Sequence, residues 1–317
     1  MGRKQDLITA FDCGQPAGAV PIWELHFHCW EKFSGRRFIS GLDFAPLTAQ
    51  EQERALRDDA EIIVAVAREL GFAGVTIPDP PWDCPYTLPQ KSRLKLAALL
   101  RQYDPDFVVV AGAGGVMAMP DAASYADFCY KLLEAPQEID EIARGTLRAG
   151  LEAVKQARDA GVEAVYTASD LADNRGPFFR PNQLDRFVWP YLNEWVARVK
   201  EMGLYTIIHT DGNIMPMLDG IATSGIHALQ AIDPVAGMDM GEVKRRIGDR
   251  VCLCGNVDCG LLVLGPASAV YESTRDILVA CKAGGGLALG ASNAVVMETP
   301  IEHYRELVHA WRDYGQY

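Results

Sequence analysis

The chain has 317 residues, enough for one large α/β barrel or two smaller domains, and its 30 basic and 42 acidic residues give a formal net charge of −12. The acidic balance excludes nucleic acid and anionic membranes as favoured partners. The amino terminus lacks a secretory pattern, and no apolar run approaches the roughly 20 residues that span a bilayer. We therefore expect a cytoplasmic protein that binds neither, with its eight scattered cysteines mostly reduced.

The first predicted strand, residues 19–28, alternates apolar with ionisable side chains. The apolar set is Trp23, Leu25 and Phe27, and the ionisable set is Glu24, His26 and His28. In a barrel covered by helices, this pattern places the apolar set under the helices and the ionisable set toward the axis or mouth. We predict a functional role for the ionisable set, the alternative being an exposed edge strand with a polar outer face.

A helix over residues 48–70 is predicted by a capping box, Thr48 with Glu51. The second strand, residues 73–77, leads into a stiff, proline-rich loop, residues 78–85. Its Asp79 and Trp82 either shape a pocket wall or belong to a rigid surface loop.

The remainder of the chain continues to alternate strands with helices. Further strands are predicted at residues 107–111, 163–167, 204–208, 225–230, 251–254 and 286–289, and helices near 90–103, 121–161 (two segments), 181–202, 239–247, 266–283 and 298–313. Eight alternating strands predict an α/β protein with a single (β/α)8 TIM-type barrel domain over residues 1–317, preceded by a short amino-terminal extension.

The stretch LYTIIHTDGN, residues 204–213, combines a buried strand with polar residues at its carboxyl end. His209 and Asp211 project from the same face, because side chains alternate along a strand. Such a pair either binds a metal or transfers protons. The alternative is a structural pair, in which the carboxylate satisfies a buried histidine and caps the next helix.

Polar residues also follow the other predicted strands, where barrel enzymes build their sites, although loops are polar in any case. The complete ring comprises His26 or His28, Asp79, Asp170, His209, Asp211, Asp233, Asn256, Asp258 and Asn293. Cys252, Cys254 and Cys259 lack the paired spacing of a structural zinc site, so we interpret them as buried packing side chains.

Four segments carry a resemblance to a known family. They are VPIWELHF at 20–27, HTDGN at 209–213, GNVD at 255–258 and GGGLALGASNAVVMETPIEHY at 284–304. In order and spacing they resemble the uroporphyrinogen decarboxylase superfamily, in particular its corrinoid methyltransferase branch. The resemblance implies an (α/β)8 barrel, in agreement with the strand count.

The resemblance to the decarboxylases fails at the site. Those enzymes hold the acidic groups of a porphyrinogen with an Arg-Gln-Ala-Gly-Arg segment after the first strand, where this chain has ELHFHC at 24–29. A polycarboxylate substrate would meet an acidic ring here. Porphyrinogen decarboxylation is therefore not expected.

The methyltransferase branch holds zinc with a His-x-Cys pair and a distant Cys, and here His209 matches the histidine. Asp211 and Asn293 occupy the two cysteine positions. Either zinc is lost or it sits in a harder, more Lewis-acidic site. Such a site suits cleavage of a methyl–oxygen bond, because the leaving oxygen must be stabilised.

Our hypothesis from the sequence is a methyltransferase that moves a methyl group from an O-methylated small molecule, such as an aromatic ether, to the cobalt of a separate corrinoid protein docked over the barrel mouth. The predicted catalytic residues are His209, Asp211, Asp258 and Asn293; the substrate-binding ones are Trp23, His26, Asp79, Trp82, Asp170 and Asn256; zinc is assigned to His209, Asp211 and Glu24. Phe178 is a further aromatic candidate for the pocket wall. A homodimer is the oligomer we consider for this chain.

Two alternatives stay open. A metal-free decarboxylase or lyase for a smaller acid would use His209 and Asp211 for proton transfer. A non-catalytic barrel would bind a corrinoid or a methylated ligand without turnover. Metal content separates the first alternative from the hypothesis, and a catalytic rate separates the second.

Overall fold

A computed structural model describes residues 2–78 and 88–317. A parallel sheet forms its centre. Its strands are β2 (Gly74–Thr76), β3 (Val108–Gly112), β4 (Ala164–Ala168), β7 (Tyr205–Thr210), β8 (Ala228–Ala231), β9 (Cys252–Val257) and β10 (Leu287–Ala291). They are arranged in the order β10-β9-β8-β7-β4-β3-β2. Each coincides with a predicted strand to within a few residues.

The two edges of this sheet are joined by the segment around Ile22. Ile22 forms parallel bridges to Phe72 on one side and to Leu289 on the other. The N–H of Trp23 donates to the carbonyl of Leu289 at 2.9 Å, and the N–H of Ala73 donates to the carbonyl of Ile22 at 2.8 Å. This segment occupies the eighth strand position and closes the barrel, so the predicted (β/α)8 fold is confirmed.

Short strands extend the pairing beyond the barrel wall. β1 (His26–Phe27) pairs with β11 (Ala294–Val295) in parallel, and β5 (Ala172–Asp173) pairs with β6 (Gly176–Pro177) in antiparallel. Both pairs lie beyond carboxyl ends of barrel strands, so they help to shape the mouth.

Helices surround the barrel, as the alternating pattern predicts. They are α1 (Arg3–Phe11), α2 (Trp30–Ser34), α3 (Gly41–Phe44), α4 (Ala49–Leu70), α5 (Gln90–Tyr103), α6 (Tyr125–Glu134), α7 (Pro136–Asp159), α8 (Pro181–Phe187), α9 (Trp189–Glu201), α10 (Leu218–Thr223), α11 (Met240–Ile247), α12 (Cys259–Leu264), α13 (Ala267–Cys281) and α14 (Ile301–Tyr314). The predicted capping box of Thr48 and Glu51 starts α4, and Gly71 ends it in a left-handed conformation. Across the described ranges, every helix is too short or too polar to cross a lipid bilayer.

The apolar core has two layers. The outer layer packs the helices against the sheet. The inner layer fills the barrel with side chains from the strands, and Leu7 and Phe11 of α1 join it. Cys252 and Cys254 belong to this inner layer and are fully buried, which confirms their interpretation as packing side chains.

The faces predicted for the first strand are partly wrong. Trp23 and Leu25 lie in the inner layer, and the Glu24 side chain turns outward to Tyr304 of α14. The chain bends at Leu25, so the alternation slips by one residue. Beyond the bend Phe27 packs outward under the helices, as predicted.

Candidate functional site

Three polar side chains meet at the carboxyl ends of two neighbouring strands. β4 pairs with β7, with Ala168 opposite His209. Asp170 lies two residues beyond the end of β4, and Asp211 follows directly on β7. Because parallel strands end on the same side of the barrel, residues far apart in sequence converge there.

The distances within this group suit a shared ligand. Nε2 of His209 lies 3.7 Å from Oδ2 of Asp211 and 3.9 Å from Oδ1 of Asp170. One nitrogen and two carboxylate oxygens lie within 4.8 Å of one another. The predicted convergence of His209 and Asp211 is therefore confirmed.

His209 is oriented by a side chain on the neighbouring strand. Its Nδ1 lies 2.5 Å from Oε1 of Gln230 in β8. The Gln230 amide nitrogen donates to the carbonyls of Ala291 and Ser292 at 3.1 and 3.2 Å. With its nitrogen so engaged, the amide presents only its oxygen to His209, which leaves Nε2 directed at the carboxylates.

Asn293 holds the carboxylate of Asp211, and the backbone of Asp211 holds the carboxylate of Asp170. Nδ2 of Asn293 donates to Oδ2 of Asp211 at 2.6 Å, and the Asp211 N–H donates to Oδ1 of Asp170 at 3.0 Å. Burial raises the pKa of Asp211, and the nearby Asp170 and Asp233 carboxylates raise it further, against the opposing effects of His209 and Asn293. A bound cation would relieve this concentration of negative charge.

The backbone at these strand ends adopts uncommon conformations. Gly212 has φ 85°, and a Cβ there would lie 2.5 Å from the carbonyl oxygen of Ala172, so only glycine fits. Ala231 and Ile232, which follow Gln230, have φ of 99° and 51°. Such conformations in residues other than glycine are strained and cluster at functional sites.

The donor set fits a divalent cation. A neutral imidazole and two carboxylates form a common ligand type for zinc and for harder divalent metals. The other ring nitrogen, Nδ1, faces an amide oxygen at 2.5 Å, and metal-bound histidines usually direct that nitrogen at a fixed acceptor. Asp170, predicted as a substrate contact, lies where it would be a third ligand.

Two predicted site residues lie away from this group. Oδ1 of Asp258 accepts from the N–H groups of Gly260 and Leu261 at 2.6 and 3.2 Å, so this carboxylate caps α12. The amide of Asn256 donates to the carbonyl of Ile232 at 2.7 Å. Both side chains line a cleft of about 540 Å³ beside α11 and α13.

Glu24, predicted as a metal ligand, is also placed elsewhere. Its oxygens accept from the Tyr304 hydroxyl at 2.7 Å and from the Ala291 N–H at 2.8 Å. Burial raises the pKa of this carboxyl to about 8. We therefore omit Glu24 from the metal site proposed below.

The aromatic residues and the histidine predicted to contact the substrate lie in different parts of the structure. Trp23 is buried in the inner core and donates from Nε1 to Thr76. Phe178 packs against Phe179 beside α6. Nε2 of His26 lies 3.2 Å from the Tyr166 hydroxyl, on the side facing the barrel interior. Asp79 and Trp82 lie outside the described residues.

Gln230, which contacts His209, is a side chain at this site that the sequence did not identify. It lies within the predicted strand at 225–230, flanked by Leu229 and Ala231, and is 1% exposed. A long amide inside an apolar strand is the pattern that could have indicated it, because such a group requires buried hydrogen-bond partners.

Comparison with known proteins places the chain in a family. A family model described as "Uroporphyrinogen decarboxylase (URO-D)" matches residues 93–314. A uroporphyrinogen decarboxylase from Coxiella burnetii is 31% identical over 159 residues, which make up 49% of this chain and 42% of that protein. One from Azoarcus sp. is 25% identical over 284 residues, 87% of this chain and 74% of that protein. The chain thus spans less than half the length of the Coxiella relative.

A solved structure shares the whole fold. A methyltransferase from Methanosarcina mazei matches with a TM-score of 0.71 and 18% sequence identity, covering 99% of both chains. At this identity the likeness describes the fold. Together with the family match, it agrees with the resemblance carried by the sequence motifs, and the chain belongs to the uroporphyrinogen decarboxylase family.

Proposed function

We propose that the protein is a methyltransferase that moves a methyl group from an O-methylated small molecule, such as an aromatic methyl ether, to the cobalt of a corrinoid carried by a separate protein. The observation that carries this proposal is the group of Asp170, His209 and Asp211 at the barrel mouth. The full-length fold match to a methyltransferase supports it.

The residues of the group would hold a divalent cation such as zinc. Nε2 of His209 and the two carboxylates supply the donor atoms, and the burial of His209 limits competition from water. When bound, zinc supplies the Lewis acidity that stabilises negative charge on a leaving oxygen. Two carboxylate ligands donate less charge to zinc than two thiolates would, so the zinc stays more Lewis acidic.

The remaining residues orient the site and the substrate. Asn293 holds Asp211 through its amide nitrogen, while its Oδ1 is buried without a hydrogen-bond partner among the described residues. We assign this oxygen to accept a hydrogen bond from a hydroxyl group carried by the substrate beside its methoxy group. The negative charge of Asp170, Asp211 and Asp233 disfavours polycarboxylate substrates and is compatible with a neutral ether.

The proposed transfer is a nucleophilic displacement at the methyl carbon, in which atoms and electrons balance. The methyl carbon–oxygen bond breaks with both electrons on oxygen, which takes a proton from solvent. The electron pair of cobalt(I) forms the new carbon–cobalt bond, so the corrinoid substrate ends as methylcobalt(III). No external oxidant or reductant is consumed in this step.

The test mixes the zinc-supplied protein with cob(I)alamin and a panel of methoxylated aromatic compounds, without oxygen. Formation of methylcobalamin is followed by its absorbance. We expect turnover with at least one ether and a loss of about 100-fold or more for His209→Ala, because a donor to the cation is removed. Full activity in protein stripped of metal by a chelator would refute the mechanism.

A second candidate function follows from the raised pKa of Asp211 beside His209. A carboxyl group that holds its proton more readily can act as a general acid at neutral pH. This pair would suit a metal-free decarboxylase or lyase for a small acid, the activity class named in the relatives. Carbon dioxide release from small carboxylic acids by metal-free protein, lost in Asp211→Asn, would favour it.

A further inference from the structure

Gln230 of β8 forms a hydrogen-bonded link between His209 of β7 and the carboxyl end of β10. Its side chain is 1% exposed. The amide nitrogen donates to the carbonyls of Ala291 and Ser292, and the amide oxygen lies 2.5 Å from Nδ1 of His209. All three contacts are buried.

These partners determine the orientation of the amide. If the Gln230 amide were reversed, its oxygen would face the carbonyl oxygens of Ala291 and Ser292, and neither of these can donate a hydrogen bond. With the observed orientation, Oε1 of Gln230 can only accept, so Nδ1 of His209 must carry the ring proton. The lone pair of a neutral His209 is then on Nε2, the atom 3.7 Å from Asp211 and 3.9 Å from Asp170.

We propose that Gln230 is a positioning residue that fixes the tautomer and the ring direction of His209. The proposal rests on the function proposed above, in which Nε2 is the donor to a cation. A carboxylate in this position would perform the same role but add negative charge to a mouth that already contains Asp170, Asp211 and Asp233. An amide keeps the histidine oriented at no cost in charge.

The direct test is the tautomer of His209 in the metal-free, full-length protein labelled with ¹⁵N in its histidine rings. The spectrum of His209→Gln identifies the relevant signals among the six histidines. Spectra recorded at increasing pH until the ring is neutral should show a protonated Nδ1 and an unprotonated Nε2 in the wild type. A neutral wild-type ring protonated on Nε2 overturns the proposal, whichever variants fold.

Two variants separate positioning from packing. Gln230→Met keeps the volume but removes the acceptor, so we expect a mixture of tautomers. Gln230→Glu retains an oxygen toward Nδ1, and its other oxygen can take up a proton and donate to a carbonyl, so we expect the Nδ1-protonated form to return. An unchanged tautomer in Gln230→Met would refute the role.

Zinc affinity, measured by competition with a chelator, provides a second readout. We expect Gln230→Met to bind zinc about 10- to 100-fold more weakly than the wild type and Gln230→Glu to stay within a few-fold. Equal affinities for the wild type and Gln230→Met would contradict the proposal. Absence of zinc binding in the wild type would overturn the proposed function instead, and the tautomer measurement would still decide the role of Gln230.

Discussion

Asn293 donates from Nδ2 to Oδ2 of Asp211 at 2.6 Å, although 82 positions separate the two residues in sequence. This contact joins the loop after β10 to the carboxyl end of β7. The same two positions correspond to the cysteine ligands of the methyltransferase branch that the sequence resembles. An acid–amide pair in contact therefore stands where that resemblance implies two thiolates.

Metal content should depend on His209. We expect about one zinc ion per chain in protein supplied with zinc, and its loss in His209→Ala, because the nitrogen donor disappears. The control is His227→Ala, since His227 binds Thr206 through Nδ1 and lies outside the cluster. Elemental analysis of all three proteins decides. Equal zinc in the wild type and His209→Ala would place the metal elsewhere.

Placing thiolates at positions 211 and 293 should strengthen zinc binding and slow ether cleavage. In Asp211→Cys combined with Asn293→Cys, two soft, charge-donating ligands replace the acid–amide pair. We expect zinc affinity to rise about 10-fold or more and methyl transfer from ethers to fall about 10-fold or more, because the zinc becomes less acidic. Chelator competition and methylcobalamin formation measure the two effects. Faster ether cleavage by the thiolate variant would contradict the assigned role of the oxygen ligands.

The stability of the protein should fall with rising pH because of Glu24. Burial raises the pKa of this carboxyl from 4.5 to about 8. Between these values the folded protein keeps a proton that the unfolded chain releases, so the free energy of unfolding falls by up to about 1.4 kcal/mol per pH unit. Its contribution is complete below the lower value and is lost as pH rises to the upper one.

Glu24→Gln isolates this effect, because glutamine stays neutral. Urea unfolding of the wild type and the variant at several pH values between 5 and 8.5 cancels the titrations that both proteins share. We expect the stability of the wild type to fall relative to that of the variant across this range. Parallel curves would show that Glu24 is ionised throughout.

Asp258 should matter for stability and not for metal binding. It caps α12 through the N–H groups of Gly260 and Leu261. Asp258→Ala should cost about 1 kcal/mol, and Asp258→Asn, which retains a capping oxygen, should cost less. Zinc affinity should be unchanged in both. A loss of methyl transfer of about 100-fold in Asp258→Asn, with stability intact, would restore the catalytic role predicted from sequence.

Local patterns sufficed for the fold and for much of the candidate site. Short apolar runs between amphipathic helices predict the barrel, since each element must bury one face. The point at which a run stops marks its carboxyl end, which located Asp170, His209 and Asp211. The faces of Trp23 and Glu24 were missed because a bend at Leu25 interrupts the alternation, and alternation carries no information about bends.

The sequence by itself determined the strands, the helices and the end of the barrel at which polar side chains collect, because these depend on periodicity and on neighbouring residues. Only the tertiary structure decided which of those side chains touch. It brought Asn293 to Asp211, turned Asp258 to a helix terminus and placed Gln230 behind His209. The physical reason is that strand neighbours in a closed barrel lie far apart in sequence, and a buried polar group takes the partner that the packed strands bring within hydrogen-bond distance.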